Sequence, residues 1–83
     1  MSYILTFPNT HMSIFAEKAL LQAGYPAGVM PLPSSIKAGC GIALRVDDYI
    51  ASMTLLKENN IDVSAVYQVS ANVQGTVYSE VVL

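Results

Sequence analysis

The chain carries one cysteine, Cys40, and one histidine, His11. A thiol does chemistry as its thiolate, and a helix N-terminus or a neighbouring cation raises the thiolate fraction. An imidazole can supply that positive charge or, when neutral, accept the thiol proton. Cys40 is therefore the candidate acceptor thiolate and His11 its candidate partner. Gly39 and Gly41 flank the cysteine without side chains, leaving room for a reagent or partner to approach the backbone. Asn9, Thr10, Ser34 and Ser35 could add neutral hydrogen bonds to a small anion at the same place. One nucleophile with few helpers suits a carrier of a single atom or group better than a complete catalyst. The chain holds no Ser/His/Asp arrangement, no P-loop and no Gly-x-Gly-x-x-Gly motif. No pair of carboxylates suggests acid–base work. A lone cysteine also rules out an internal disulfide framework or a Cys-based zinc site, and nothing calls for a cofactor.

Placing these residues together is a task for the elements around them. Tyr3 to Phe7 alternates as a short strand, and Pro8 stops it. Asn9 or Thr10 can cap a following helix, whose apolar stripe is Met12, Phe15, Ala16, Ala19, Leu20 and Ala23. Gly24 supplies its left-handed stop. Ala27 to Met30 reads as a weaker strand. It is assigned to a sheet edge because Pro31 and Pro33 end it and proline cannot donate to a ladder. Ser34 to Gly39 forms a polar loop, and Cys40 to Val46 a third strand. Asp47 or Asp48 opens a second helix with the stripe Tyr49, Ser52, Met53 and Leu56, ended by Asn59-Asn60. Val63 to Val69 is a fourth strand. Thr76 to Leu83 is extended again, an arm joined through Gln74-Gly75. Met12, Met30 and Met53 read as core fillers.

The order β-α-β-β-α-β predicts an α+β fold, a ferredoxin-like two-layer sandwich with two helices on one face of an antiparallel sheet. The first and third strands would be central, the second and fourth at the edges. Residues 1–68 would form this domain and residues 69–83 a C-terminal extension, a strand or hairpin arm. In this arrangement Cys40 starts the third strand beside the Phe7–Thr10 corner, and its phase with Ile42 and Leu44 aims the thiol at the helix side. Arg45 falls on the other face, roughly 16 Å along the strand at ~3.3 Å per residue, and is a secondary candidate only. Ile4, Ala43 and Val66 are assigned to the open face.

Composition narrows the partners. The 83 residues are 53% apolar and only 12% charged, against ~25% charged in an average domain. So little charge favours an apolar surface covered by a second copy, and a homo-oligomer is expected. Four Lys/Arg against six Asp/Glu, net −2, with no basic run, argue against nucleic acid. Apolar runs far shorter than ~20 residues argue against a membrane span. The N-terminal residues lack a basic n-region and reach Pro8 early, so a cytoplasmic, reducing location is expected.

Thr6-Phe7-Pro8-Asn9-Thr10-His11, Ala16-Glu17-Lys18, Met30-Pro31-Leu32-Pro33, Ile36 and Cys40-Gly41-Ile42-Ala43-Leu44-Arg45 occur in the order found in the selenium/sulfur carrier-like proteins. Leu55-Leu56-Lys57-Glu58-Asn59, Ile61 and Val66-Tyr67 continue the pattern, so the chain resembles that family over about residues 3 to 68. The resemblance implies that Cys40 holds sulfur or selenium as a persulfide or selenopersulfide and relays it between donor and acceptor proteins. This chain departs from the pattern at three places. Ser34 stands where the family often has Arg, Ala38 and Gly39 where it tends to have serines, and Asn60 where it usually has Gly.

Other readings stand beside this one. Cys40 also fits a small buried hydrophobe at a core edge, His11 a solvated first-turn residue, and the two glycines a tight loop. A regulatory or small-ligand-binding module would use the open sheet face, and a structural oligomerisation domain would use that face and the tail strand.

Overall fold

The computed structural model describes residues 2–36 and 41–82. Seven elements follow one another: β1 (Ser2–Thr6), α1 (Thr10–Gln22), β2 (Ala27–Pro31), β3 (Ile42–Val46), α2 (Tyr49–Glu58), β4 (Ala65–Asn72) and β5 (Gly75–Glu80). Their ends are set by local chemistry. Asn9, extended at φ −155°, accepts from the Met12 N–H at 2.9 Å and caps α1. Asp48 does the same for α2, accepting from Ala51 at 3.0 Å. Both helices close in the same way. Gly24 (φ 83°) and Asn60 (φ 59°) turn left-handed. The next amide, Tyr25 or Ile61, then donates back to Leu20 or Leu56 at 2.9 Å.

The strands form one antiparallel sheet in the order β2-β3-β1-β4-β5. β1 and β3 are central and β2 is an edge, as expected. A simple ferredoxin-like sandwich has its fourth strand at the other edge, whereas here β4 is interior because β5 pairs along it. The reason is length: β4 runs eight residues and continues to Asn72. The Asn72 side chain then accepts from Gln74 at 2.8 Å and turns the chain back.

Leu5, Leu44, Val46 and Val66 share one face of the sheet and pack with Phe7, Ala16, Leu20 and Leu56 in a single core. Both helices therefore lie on this face. Three expectations change here. Val66 pairs with Leu5 and is fully buried in the helix-side core, so it does not belong to the opposite face. In α1 the buried residues are Ser13, Ala16 and Leu20, while Phe15 is 56% exposed and Ala23 is at the surface. Ser13 can take the place of Phe15 because its hydroxyl donates to the Asn9 carbonyl at 3.5 Å, leaving no orphaned polar atom. Met12 and Met53 pack on the core, but Met30 pairs with Ala43 on the other face.

That other face is not bare at its centre. Ile4, Thr6 and Ala43 point away from the helices, and all three are buried. Around them lie half-buried Tyr67 and Val69 of β4 and Tyr78 of β5.

Candidate functional site

Three chain segments meet at one end of the sheet. β1 finishes there and turns through Pro8 into α1. β2 finishes there and β3 begins, because Pro31 pairs with Ile42. Beyond that pair the Leu32 N–H donates to the Gly41 carbonyl at 3.1 Å, closing the connecting loop at its base. Continued past Leu5↔Leu44, the β1–β3 register brings Ile42 level with Phe7 and Gly41 level with Pro8. The start of α1 and the start of β3 are thus side by side, which follows from strands running in opposite directions.

Of the sequence-predicted site residues, Asn9, Thr10, His11, Ser34, Ser35 and Gly41 all occur at this end and all are exposed. Cys40 and Gly39 lie outside the described residues. Asn9 commits its side-chain oxygen to the helix cap. Ser34 and Ser35 are the middle residues of a turn in which Ile36 donates to Pro33 at 2.9 Å, and Ile36 itself is buried. The two hydroxyl-bearing residues are therefore held at the surface by an apolar anchor. Gly41 has open space where a Cβ would stand, so close packing does not demand a glycine there.

The electrostatics of this end come from the backbone. The first turn of α1 contains no acidic side chain, so no carboxylate within that turn offsets the positive pole of the helix. His11 lies in that turn with its ring 6.5 Å from the Phe15 ring, tilted by 44°. Phe15 and Ile14, both more than half exposed, form an apolar shoulder beside the histidine. The apolar stripe alone assigned Phe15 to the core. The signal it missed was that α1 carries more large apolar residues than one buried stripe can take, with Ile14, Phe15 and Leu21 left outside it.

Arg45 is separate from this cluster. It pairs with Ile4 and Gly28, is exposed, and lies on the face away from the helices. There it lines, with Met30 and Asp47, an open groove of about 540 Å³ along β2. Among the described residues, no group of three or more His, Cys, Asp or Glu could hold a metal ion. None of the described helices is long and apolar enough to cross a membrane.

The family model described as "Putative Se/S carrier protein-like" matches residues 2–68. The chain belongs to this family. The match takes in β1, both helices, β2, β3 and the first half of β4, and with them every segment that meets at the site end. Residues 69–83 of this Se/S carrier-like chain, including all of β5, lie beyond it. No curated protein and no solved structure matches the chain.

Proposed function

We propose that this protein is a small, non-enzymatic carrier that accepts sulfur or selenium on Cys40 and hands it from a donor protein to an acceptor protein. The observation that supports this reading is that the family match, over residues 2–68, takes in every segment that meets at the site end. The residues matched there run from the α1 cap to Gly41, the immediate neighbour of Cys40. A thiolate at this end would feel the N-terminal pole of α1, whose first turn carries no acidic side chain, and His11 stands in the same turn as a proton acceptor or positive partner. Thr10, Ser34, Ser35, the Asn9 Nδ2 and the amides around Gly39 and Gly41 would offer hydrogen bonds to the anionic persulfide. Phe15 and Ile14 would contribute to docking the partner that delivers the atom.

The transfer balances without an added oxidant. The Cys40 thiolate attacks the outer sulfur or selenium of a donor persulfide or selenopersulfide. A bond from the Cys40 sulfur to that atom forms as the donor's own bond to it breaks, and the donor leaves as a thiolate. Handing on to the acceptor repeats the exchange with the roles reversed. Such chemistry needs thiols kept reduced, as in a cytoplasmic setting.

We read β1 to β4 as a ferredoxin-like sandwich, supported by the order β2-β3-β1-β4 and by two helices on one face. Residues 1–68 would then be the carrier unit and residues 69–83 an extension. The test is mass spectrometry of the chain after incubation with a small-molecule persulfide or selenopersulfide donor. Addition of one sulfur or selenium atom to the wild type, and none to Cys40→Ser, is the expected result. The rate of Cys40 alkylation should also rise with an apparent pKa below the ~8.5 of a free thiol. A wild type left unmodified while a control thiol is labelled overturns the proposal.

A further inference from the structure

The two edges of the sheet are built differently. At the β2 edge, Val29 turns its N–H away from β3 and donates to the Glu17 carboxylate at 3.0 Å. Pro31, two residues on and facing the same way, has no N–H to offer. One outward donor is tied and one is missing, and these are the devices that stop a foreign strand from adding to a sheet. The β5 edge has neither. Val81 donates to the Val66 carbonyl at 2.8 Å, so alternation turns the backbone of Ser79, Val77 and Gly75 toward β4. The same alternation turns Thr76, Tyr78 and Glu80 outward. No proline interrupts this edge, and Glu80 is the one charged side chain in residues 69–83.

We propose that β5 is the docking edge for a second copy of this chain, paired antiparallel about a two-fold axis at Tyr78 to make one continuous sheet. The occupant follows from self-complementarity. An antiparallel pairing of two identical strands is isologous, so each outward donor meets an outward acceptor of the other copy. With Tyr78 opposite Tyr78, Thr76 faces the second copy's Glu80, and the two carboxylates stay about 14 Å apart at ~3.4 Å per residue. Charge therefore does not oppose this register. Gln74, in the turn that precedes β5, falls opposite the second copy's Val82, which is 95% exposed in the single chain. The half-buried Tyr67, Val69 and Tyr78 of both copies would then form one apolar band on the face away from the helices. An edge contact of this size is small against the ~1,200–2,000 Å² of a stable complex, so association on the order of micromolar or weaker is expected. Pairing through β5 involves neither Cys40 nor the carrier chemistry.

Sedimentation of the full chain under reducing conditions tests it, since the reductant removes disulfide-linked pairs. The wild-type mass should rise toward twice the chain mass as concentration increases to about 1 mM. Tyr78→Lys and Tyr78→Glu, each placing like charges across the axis, should stay monomeric alone and recover the paired mass when mixed. Val29→Lys at the guarded edge should sediment as the wild type. Amide exchange of the wild type supplies a reading that needs no variant: the Thr76, Tyr78 and Glu80 amides should become protected as concentration rises. A wild type that stays monomeric throughout overturns the proposal. So does Tyr78→Lys that pairs as before, Val29→Lys that does not, or outward β5 amides whose exchange ignores concentration.

Discussion

The body of the molecule and its β4–β5 arm are made by different forces. In the body, β1, β3 and the first half of β4 bury Leu5, Leu44, Val46 and Val66 to 1% exposure or less beneath two helices. In the arm, Ser70 to Val77 are all exposed, and what joins the two strands is a backbone ladder closed by the Asn72 turn. Side-chain burial specifies a body like this one, because each core residue has a single place to go. A ladder alone specifies only distance and direction, so the arm can carry a bare edge that the body guards with Glu17 and Pro31. The family match shows a similar division, ending at Gln68, just before the exposed stretch that begins at Ser70.

Substitutions that act on one region and spare the other sharpen this contrast. The largest effect is expected for Leu44→Ala, which opens a cavity at the centre of the core. Urea unfolding should show a loss of about 3 kcal/mol, and a loss under ~1 kcal/mol would mean that the body is not held by this packing. Glu17→Ala should cost about 1 kcal/mol by the same measurement, since it leaves the outward Val29 amide without its acceptor. Glu17→Gln, which keeps an acceptor oxygen, should recover most of that loss. Equal losses for both variants would show that the carboxylate's charge, rather than the hydrogen bond, is what matters there. Val73→Ser at the arm tip should shift stability by no more than ~0.5 kcal/mol, because the side chain is fully exposed in the single chain. A loss comparable to that of Leu44→Ala would break the division between packed body and laddered arm.

Much of the frame is legible without coordinates. Pro8, Asn9, Gly24, Asp48 and Asn60 each act over a few residues, so helix ends can be read from residue types alone. The edge position of β2 likewise follows from prolines that cannot donate. The stripe of α1 was less readable. Phe15 is a stronger core candidate than Ser13 by side chain, and hydrogen bonding such as that from the Ser13 hydroxyl to the Asn9 carbonyl makes the serine tolerable inside. Val66 was misplaced because Val63, Ala65, Tyr67 and Val69 make an equally regular alternation, and a period of two cannot say which phase meets the helices. The candidate site was legible as a meeting of β1, α1 and β3, since antiparallel order alone brings those ends together. Its exposed Phe15 and Ile14 were not, because exposure depends on where the rest of the chain lies.

By itself, then, the amino-acid order determined the elements, their caps, the edge place of β2 and the proximity of the Gly41 end to the first turn of α1. These follow from propensities and connections that act locally or along one strand pair. The tertiary structure alone decided which stripe of α1 is buried, which phase of β4 meets the core and that β5 takes the outer edge. Burial is a property of two surfaces together, and neither surface carries the information about the other.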